Sequence, residues 1–327
     1  MEKIFIGIDG GATSTRIVIV SQKGKTLYKD KYKLCSNLSL DHDYASANII
    51  KIIEDSIRNA SLKIEDISCI GIGLAGASNK EGRDFLFGHL DQIELGPHSI
   101  IMSDTESAYK TVSINDTGLL ASVGTGVNFI MKDIDGNIFT AAGAGHDNGD
   151  LGSGFWIGRS AISSLGQNES MIHIDKDYIE VFESIKKLFE LDNLSDILLE
   201  ISSDQRELVS KTASLAELII NNAESGNLFA LSIIQEAAMH ISDYIILVTE
   251  LQGYNENEIT IYGNGSLLRN MFFRKLVNQS LKFNFKNVRW IFSRISSAYG
   301  SALIAAKSKG IEIQAEDIIE NGDFLGT

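Results

Sequence analysis

Ile4-Phe5-Ile6-Gly7-Ile8-Asp9-Gly10-Gly11-Ala12-Thr13-Ser14-Thr15-Arg16-Ile17-Val18-Ile19-Val20 reads as two strands joined by a tight, glycine-rich turn full of hydroxyls. Residues 4–8 and 16–20 carry the β-branched side chains of buried strands. Gly10 and Gly11 are free to take positive φ and let backbone N–H groups approach a ligand closely. Thr13, Ser14 and Thr15 add hydroxyl donors. Asp9, at the end of the first strand, is placed to hold a hydrated divalent cation. Donors plus a carboxylate suit a metal-bound polyphosphate. The competing reading is an ordinary hairpin, since Asp-Gly is a common hairpin turn.

Outward from this hairpin, 26–32 reads as a third strand and Cys35-Ser36-Asn37 as a polar loop. Residues 44–57 place Ile49, Ile50, Ile53 and Ile57 at helical spacing. A buried strand over 67–75 precedes a weak helix over 83–90. A short strand over 99–103 puts Asp104 at its end, before a helical 105–109. The pattern then restarts. Residues 118–123 form a strand, Gly124-Thr125-Gly126 a glycine–hydroxyl turn, 127–132 the returning strand and 137–141 a third. Two strand–turn–strand units with Gly and Thr at the turn point to an internal duplication. Two such hairpins facing each other would clamp a nucleotide in a cleft between similar domains.

Residues 154–251 read as mostly helical, clearest over 178–188 and 227–251. A strand over 258–262 ends in Gly263-Asn264-Gly265-Ser266, and a helix over 267–281 follows. That glycine loop would lie at a helix N-terminus, where backbone donors favour a ligand. A last strand is expected over 287–292 and a closing helix over 298–307.

A chain of 327 residues exceeds one ordinary core, so two domains are expected. The boundaries read as 1–113, completed by 297–327, and 114–296 with a helical insertion. The net charge of −14 excludes nucleic acid as a partner class but not a nucleotide held through Mg²⁺. Cys35 and Cys69 lie far apart in no C-x-x-C pattern, which suits a reducing cytoplasm. No uninterrupted apolar run reaches membrane-spanning length, so no membrane partner is expected; 244–248 is a short buried segment.

The loops at Asp9-Gly10-Gly11, Gly124-Thr125-Gly126 and Gly263-Asn264-Gly265 are neither a Walker A loop nor a Rossmann fingerprint. Their order and strand contexts are more specific than any one of them. With the run Gly143-Ala144-Gly145-His146-Asp147-Asn148-Gly149-Asp150-Leu151-Gly152-Ser153-Gly154-Phe155-Trp156-Ile157-Gly158, the chain resembles the N-acetylglucosamine kinase and BadF/BadG ATPase group of the sugar kinase, actin and heat-shock chaperone superfamily. The resemblance covers most of the chain. It implies an α/β, two-domain actin-like (ribonuclease H-like) fold. It further implies a kinase using ATP and Mg²⁺ to phosphorylate an amino sugar, and it is compatible with a homodimer.

A sugar hydroxyl is a poor nucleophile and needs a positioned base. Asp104 corresponds to the group's catalytic aspartate and would contact the substrate; its alternative role is a helix N-cap. Asp9 is the metal residue. Thr13 and Thr125, with Gly10, Gly11 and Gly126, are expected at the ATP phosphates. Gly263, Gly265 and Ser266 are expected against adenosine, or as a plain helix start. The group's sugar residues carry over to Asn37, Gly143, Ala144, Gly145 and Asp150, with Asn128 at substrate or phosphate; Asp150 could instead cap a helix. His146 has two readings, lining the sugar site or serving a structural hydrogen bond, and Phe155 and Trp156 are read as core.

Two departures from the group bear on specificity. Ala144 stands where many members have Trp, and Leu151 where many have Glu. Both point to a wider or less polar pocket that admits a bulkier sugar such as N-acetylmuramic acid, alongside N-acetylglucosamine or glucosamine. Two other readings remain at this stage. One is an ATPase activating a 2-hydroxyacyl-CoA dehydratase, which expects cysteines at an iron–sulfur cluster. The other is a non-enzymatic nucleotide switch.

Overall fold

The computed structural model describes residues 2–111, 118–143, 145, 150–253 and 257–320. The chain divides into two compact units, Met1–Asp116 with Phe292–Thr327, and Thr117–Ile291.

The first unit is built on strands β1 (Ile4–Gly10), β2 (Thr15–Ser21), β3 (Thr26–Tyr32), β4 (Ile67–Leu74) and β5 (Ser99–Ser103), in the order β3-β2-β1-β4-β5. The first three pair antiparallel as a meander, whereas β4 runs parallel to β1, and β5 parallel to β4. Helices α1 (His42–Asn59) and α2 (Lys80–Gln92) belong to this unit, as does the short α3 (Asp104–Lys110). Ile49, Ile52, Ile53 and Ile57 of α1 and Leu86 and Leu90 of α2 join Ile6, Ile8, Ile17, Ile19, Ile70 and Ile72 in one buried core. Alternate residues of the same strands, Phe5, Val18, Val20 and Cys69, form a second core on the other face with Ala298, Ala302 and Ala305. Strands buried on both faces read as continuous apolar runs, which is why β1 and β4 carry so little polarity. A Cβ on Gly71 would lie 2.0 Å from the Ser301 carbonyl, so glycine is what allows the C-terminal helix to lie against β4. β3 is the edge strand, and its exposed Lys29, Asp30 and Lys31 are a solvated, charged edge.

The second unit repeats the strand order. Its strands β6 (Gly118–Val123), β7 (Val127–Lys132), β8 (Ile138–Ala142), β9 (Glu258–Asn264) and β10 (Asn287–Phe292) lie as β10-β9-β6-β7-β8. β6, β7 and β8 pair antiparallel and β9 runs parallel to β6. The duplication read from two glycine–threonine turns is therefore one of whole sheets. The helices α4 (Gly154–Gln167), α5 (Lys176–Phe189), α6 (Leu194–Ser202), α7 (Gln205–Glu224) and α8 (Leu228–Gln252) fill the interval between β8 and β9. α8 is long and apolar enough, by length and composition, to cross a membrane. It packs instead against α4, α7, β7 and β8, burying Ile233, Ile234, Ile241, Ile245 and Val248 as a core helix.

Three local expectations change. Gly263 and Asn264 finish β9 and are not loop. The helix expected over 267–281 is two helices, α9 (Ser266–Arg269) and α10 (Met271–Leu281). Asn270 parts them with extended backbone, and its side chain accepts a hydrogen bond from the Phe273 amide as a new N-cap. The chain closes with α11 (Ser297–Ser308) and α12 (Ala315–Glu320). Among the described residues, Gly10 and Gly11 do not take positive φ, so the opening turn is made without left-handed backbone at either glycine.

Candidate active site

In the first unit the carboxyl ends of β1, β4 and β5 lie side by side. Asp9 stands opposite Gly73 of β4, and Leu74 opposite Ser103 of β5. Ligands of α/β sheets bind outside these strand ends. Asp9 and Arg16 are also register partners across the β1–β2 hairpin, and the Arg16 guanidinium Nη1 lies 3.3 Å from Asp9 Oδ2. The Asp9 side chain is 17% exposed. Burial pushes its pKa up to about 6; Arg16 opposes that shift and the charge of Asp104 adds to it. Two acidic groups of raised proton affinity at one sheet end are the kind of pair that functional sites gather.

Asp104 opens α3 immediately after β5. The cap of that helix is Ser103, whose hydroxyl accepts the Glu106 amide at 3.1 Å; the N-cap alternative for Asp104 is thereby overturned. Burial raises the Asp104 pKa, against hydrogen bonds from the Thr105 amide (2.9 Å) and hydroxyl (3.3 Å), both received at Oδ1. A carboxylate held by one oxygen and raised in basicity has the character of a general base.

Asn37 sits on the loop before α1. Its Oδ1 accepts the Ser39 amide at 2.9 Å, an Asx turn that aims the carboxamide. The loop is fastened to both strand ends: the Ser36 amide donates to Gly11 O, and the Leu38 amide to Ala75 O. Thr13 is exposed at the tip of the turn, which the Gly11 amide closes onto Ser14 O. Asp9 with the nearby charge of Asp104 offers hard oxygen donors. Mg²⁺ takes one or two carboxylates and completes its shell with waters and phosphate oxygens. The residues present fit that ion.

In the second unit the Gly124-Thr125-Gly126 turn is locked onto the start of α4. The Gly154 amide donates to Gly124 O at 2.7 Å, and the Phe155 amide to Thr125 O at 3.1 Å. Ser153 is the cap here, accepting the Trp156 amide at 3.1 Å; this replaces the capping alternative for Asp150. Phe155 and Trp156 are buried, as read. The Asp150 carboxylate lies beside the turn, where a Cβ on Gly126 would stand 2.8 Å from Oδ2. Asn128 lies against Gly143, which has φ of 78° and follows Ala142, the register partner of Asn128. Gly145 also has positive φ and is exposed. Ala144 and His146 lie outside the described residues.

Gly265 has φ of 89° and ψ of 161°, a conformation essentially reserved for glycine. A Cβ there would strike the Val123 carbonyl at 2.2 Å. Its place is thus directly beside the residue that precedes Gly124. Ser266 begins a helix of four residues only, so the helix-terminus argument for this loop loses its force. Gly263, inside β9, pairs with Ala121 of β6.

Each unit therefore gathers its own set. Asp9, Gly10, Gly11, Asn37 and Asp104 meet at one sheet end; Thr125, Gly126, Asn128, Gly143, Asp150 and Gly265 meet at the other. Two members escaped the sequence reading. Arg16 could have been found by folding the hairpin about its turn, which sets it opposite Asp9. Tyr244 stacks on Phe129 with ring centroids 5.4 Å apart, and its pKa is raised by burial and by Asp150. Only the packing of α8 on β7 reveals it. Cys69 is buried in β4 beside Ser308, which removes it from any surface cluster.

An N-acetylmuramic acid/N-acetylglucosamine kinase of Clostridium acetobutylicum is 24% identical over 314 residues, 93% of this chain and 98% of that protein. An N-acetyl-D-glucosamine kinase of Dictyostelium discoideum is 27% identical over 322 residues, 94% of this chain and 99% of that protein. Among solved structures, a Chromobacterium violaceum protein provisionally named N-acetylglucosamine kinase superposes with a TM-score of 0.65 at 21% identity, over 92% of this chain and 98% of that one. That likeness shows the fold, an actin-like α/β fold. The pattern of one family spans residues 6–305. With both turns, and both sheets but for Ile4 and Phe5, inside that span, the chain belongs to the BadF/BadG/BcrA/BcrD ATPase family.

Proposed function

We propose that this protein is an ATP-dependent kinase that phosphorylates a hydroxyl of an amino sugar, N-acetylglucosamine or N-acetylmuramic acid foremost. The observation that carries this reading is Asp104: half-buried, basic for a carboxylate, released from capping by Ser103, and one residue beyond the end of β5. The names of the two relatives support the substrate class, and the family's ATPase description supports the nucleotide.

In this mechanism Asp104 accepts the proton of the sugar hydroxyl as its oxygen bonds to the γ-phosphorus, and the bond from that phosphorus to the bridging oxygen of ADP breaks. Asn37, Asp150 and Asn128, with the glycines at 143 and 145, orient the sugar through hydrogen bonds. Thr13 and Thr125, with the amides of the two turns, hold the phosphates. Gly263, Gly265 and Ser266 lie against adenosine. Asp9 would hold Mg²⁺, and the ion would supply neutralisation of the charge that builds on the leaving phosphate. The protein works in the cytoplasm, in keeping with two cysteines that both remain thiols.

ADP release measured over N-acetylglucosamine, glucosamine, N-acetylmuramic acid, N-acetylmannosamine and glucose tests the proposal. Strong stimulation by one amino sugar is expected. Slow hydrolysis indifferent to every sugar would favour the nucleotide switch instead.

A further inference from the structure

Beneath the opening turn, two fully buried hydroxyls meet. Thr15 and Ser36 are both 0% exposed, and their Oγ atoms are hydrogen-bonded to each other. Thr15 also donates to Leu34 O at 3.0 Å, and the Ser36 amide donates to Gly11 O at 2.9 Å. One residue further on is Asn37. The hydroxyl pair therefore fastens the loop that carries Asn37 to the turn that carries Gly10, Gly11 and Thr13. The fit leaves no slack: a Cβ on Gly10 would come within 2.9 Å of Ser36 Oγ and 2.6 Å of Leu74 Cδ2. On its other side the loop is held by Leu38 N donating to Ala75 O, while the Ala75 amide donates to Gly10 O at 2.9 Å. A Cβ on Gly76 would sit 2.7 Å from Asn37 Oδ1.

Buried polar pairs are costly unless satisfied, and a simple hairpin needs neither hydroxyl. We propose that Thr15 and Ser36 are positioning residues that make the Asn37 loop and the opening turn one mechanical piece, so that phosphates ordering the turn also order the sugar-binding loop. This rests on the nucleotide-binding reading of the turn given above. The consequence is reciprocal: whatever a bound nucleotide does for sugar affinity, bound sugar does for the nucleotide. A kinase gains from this, because the γ-phosphate is then fully fixed only when an acceptor is present.

Amide hydrogen exchange of the full chain, with and without Mg²⁺ and the non-hydrolysable analogue AMPPNP, tests the tie without any need to know the sugar. In the wild type, AMPPNP is expected to protect both the turn, 10–15, and the loop, 35–39. In Thr15→Val, turn protection should persist while the ligand-induced protection of the loop falls about tenfold, the worth of one net hydrogen bond. Thr15→Ser should restore it. Ser36→Ala, which retains the backbone bond to Gly11, carries the same expectation if Thr15→Val fails to fold. A general loss of stability would raise exchange with and without ligand alike, so the ligand-induced difference isolates the tie. Protection of the turn alone in the wild type, or undiminished loop protection in a folded Thr15→Val or Ser36→Ala, overturns the tie and leaves the nucleotide reading standing. Protection of neither segment overturns both.

Discussion

Arg16 and Asp9 face each other across the first hairpin, guanidinium against carboxylate at 3.3 Å, and yet the carboxylate still holds its proton to a pH of about 6. The pair is therefore not an ordinary stabilising ion pair. Loss of water around Asp9 outweighs the attraction of Arg16, which is itself 42% exposed, and the charge of Asp104 adds a smaller push in the same upward direction. The site keeps a carboxylate short of positive charge, which is what the proposed role of Asp9 toward Mg²⁺ requires.

This sets the first prediction. The folded-state pKa of Asp9 lies above its unfolded value of 3.8, so the folded chain binds the extra proton. Its contribution to stability is present below about pH 4 and is lost as pH rises to about 6. Asp9→Asn should accordingly stabilise the nucleotide-free protein at pH 7.5 by about 1–3 kcal/mol, seen as a higher melting temperature, while abolishing Mg²⁺-dependent turnover.

The rate should follow the same groups in the opposite sense. Turnover needs Asp9 ionised to receive the metal and Asp104 ionised to receive a proton, and both pKa values are raised. kcat/KM for ATP should thus be flat above neutrality and fall as pH drops through about 6, in a profile taken at saturating sugar.

Asp104→Asn keeps the shape of the side chain and its place after Ser103 but removes the base. Turnover on the preferred sugar should fall roughly 10²–10⁴-fold, with nucleotide affinity by titration calorimetry unchanged. Because Ser103 retains the cap and burial disfavours the ionised Asp104 in the folded chain, the melting temperature at pH 7.5 should hold or rise, as for Asp9→Asn.

Two glycines separate shape from contact. Gly265→Ala meets Val123 O at 2.2 Å in a conformation that alanine avoids, and should cost about 3 kcal/mol or more in denaturant unfolding. At Gly11 a Cβ meets nothing within 4 Å and φ is not positive. Gly11→Ala should fold within about 0.5 kcal/mol of wild type yet bind ATP more weakly, because the methyl enters the space expected of phosphate. Unchanged ATP affinity would place the phosphates elsewhere.

Several strands, Thr26–Tyr32, Gly118–Val123, Val127–Lys132 and Asn287–Phe292, were legible to the residue, because glycine and polar turn residues bound these short segments. The duplication was legible for the same reason. The break at Asn270 was not: two helical stretches with one continuous apolar period look like one helix until the chain must turn between them. Nor was the cap of α3, since Ser103 and Asp104 are adjacent and either could have capped; the geometry of β5 chose Ser103.

The sequence by itself determined the two meanders, their glycine turns and the family, since these follow from local periodicity and a few motifs. Only the tertiary structure decided how strongly Asp9 and Asp104 hold protons, that Arg16 faces Asp9 and Tyr244 lies within reach of the Asp150 charge, and that Thr15 and Ser36 bind one loop to another. Proton affinity depends on how much water surrounding chain removes, and a buried hydroxyl pair depends on segments 21 residues apart folding back together. Neither quantity is written in any single stretch of residues.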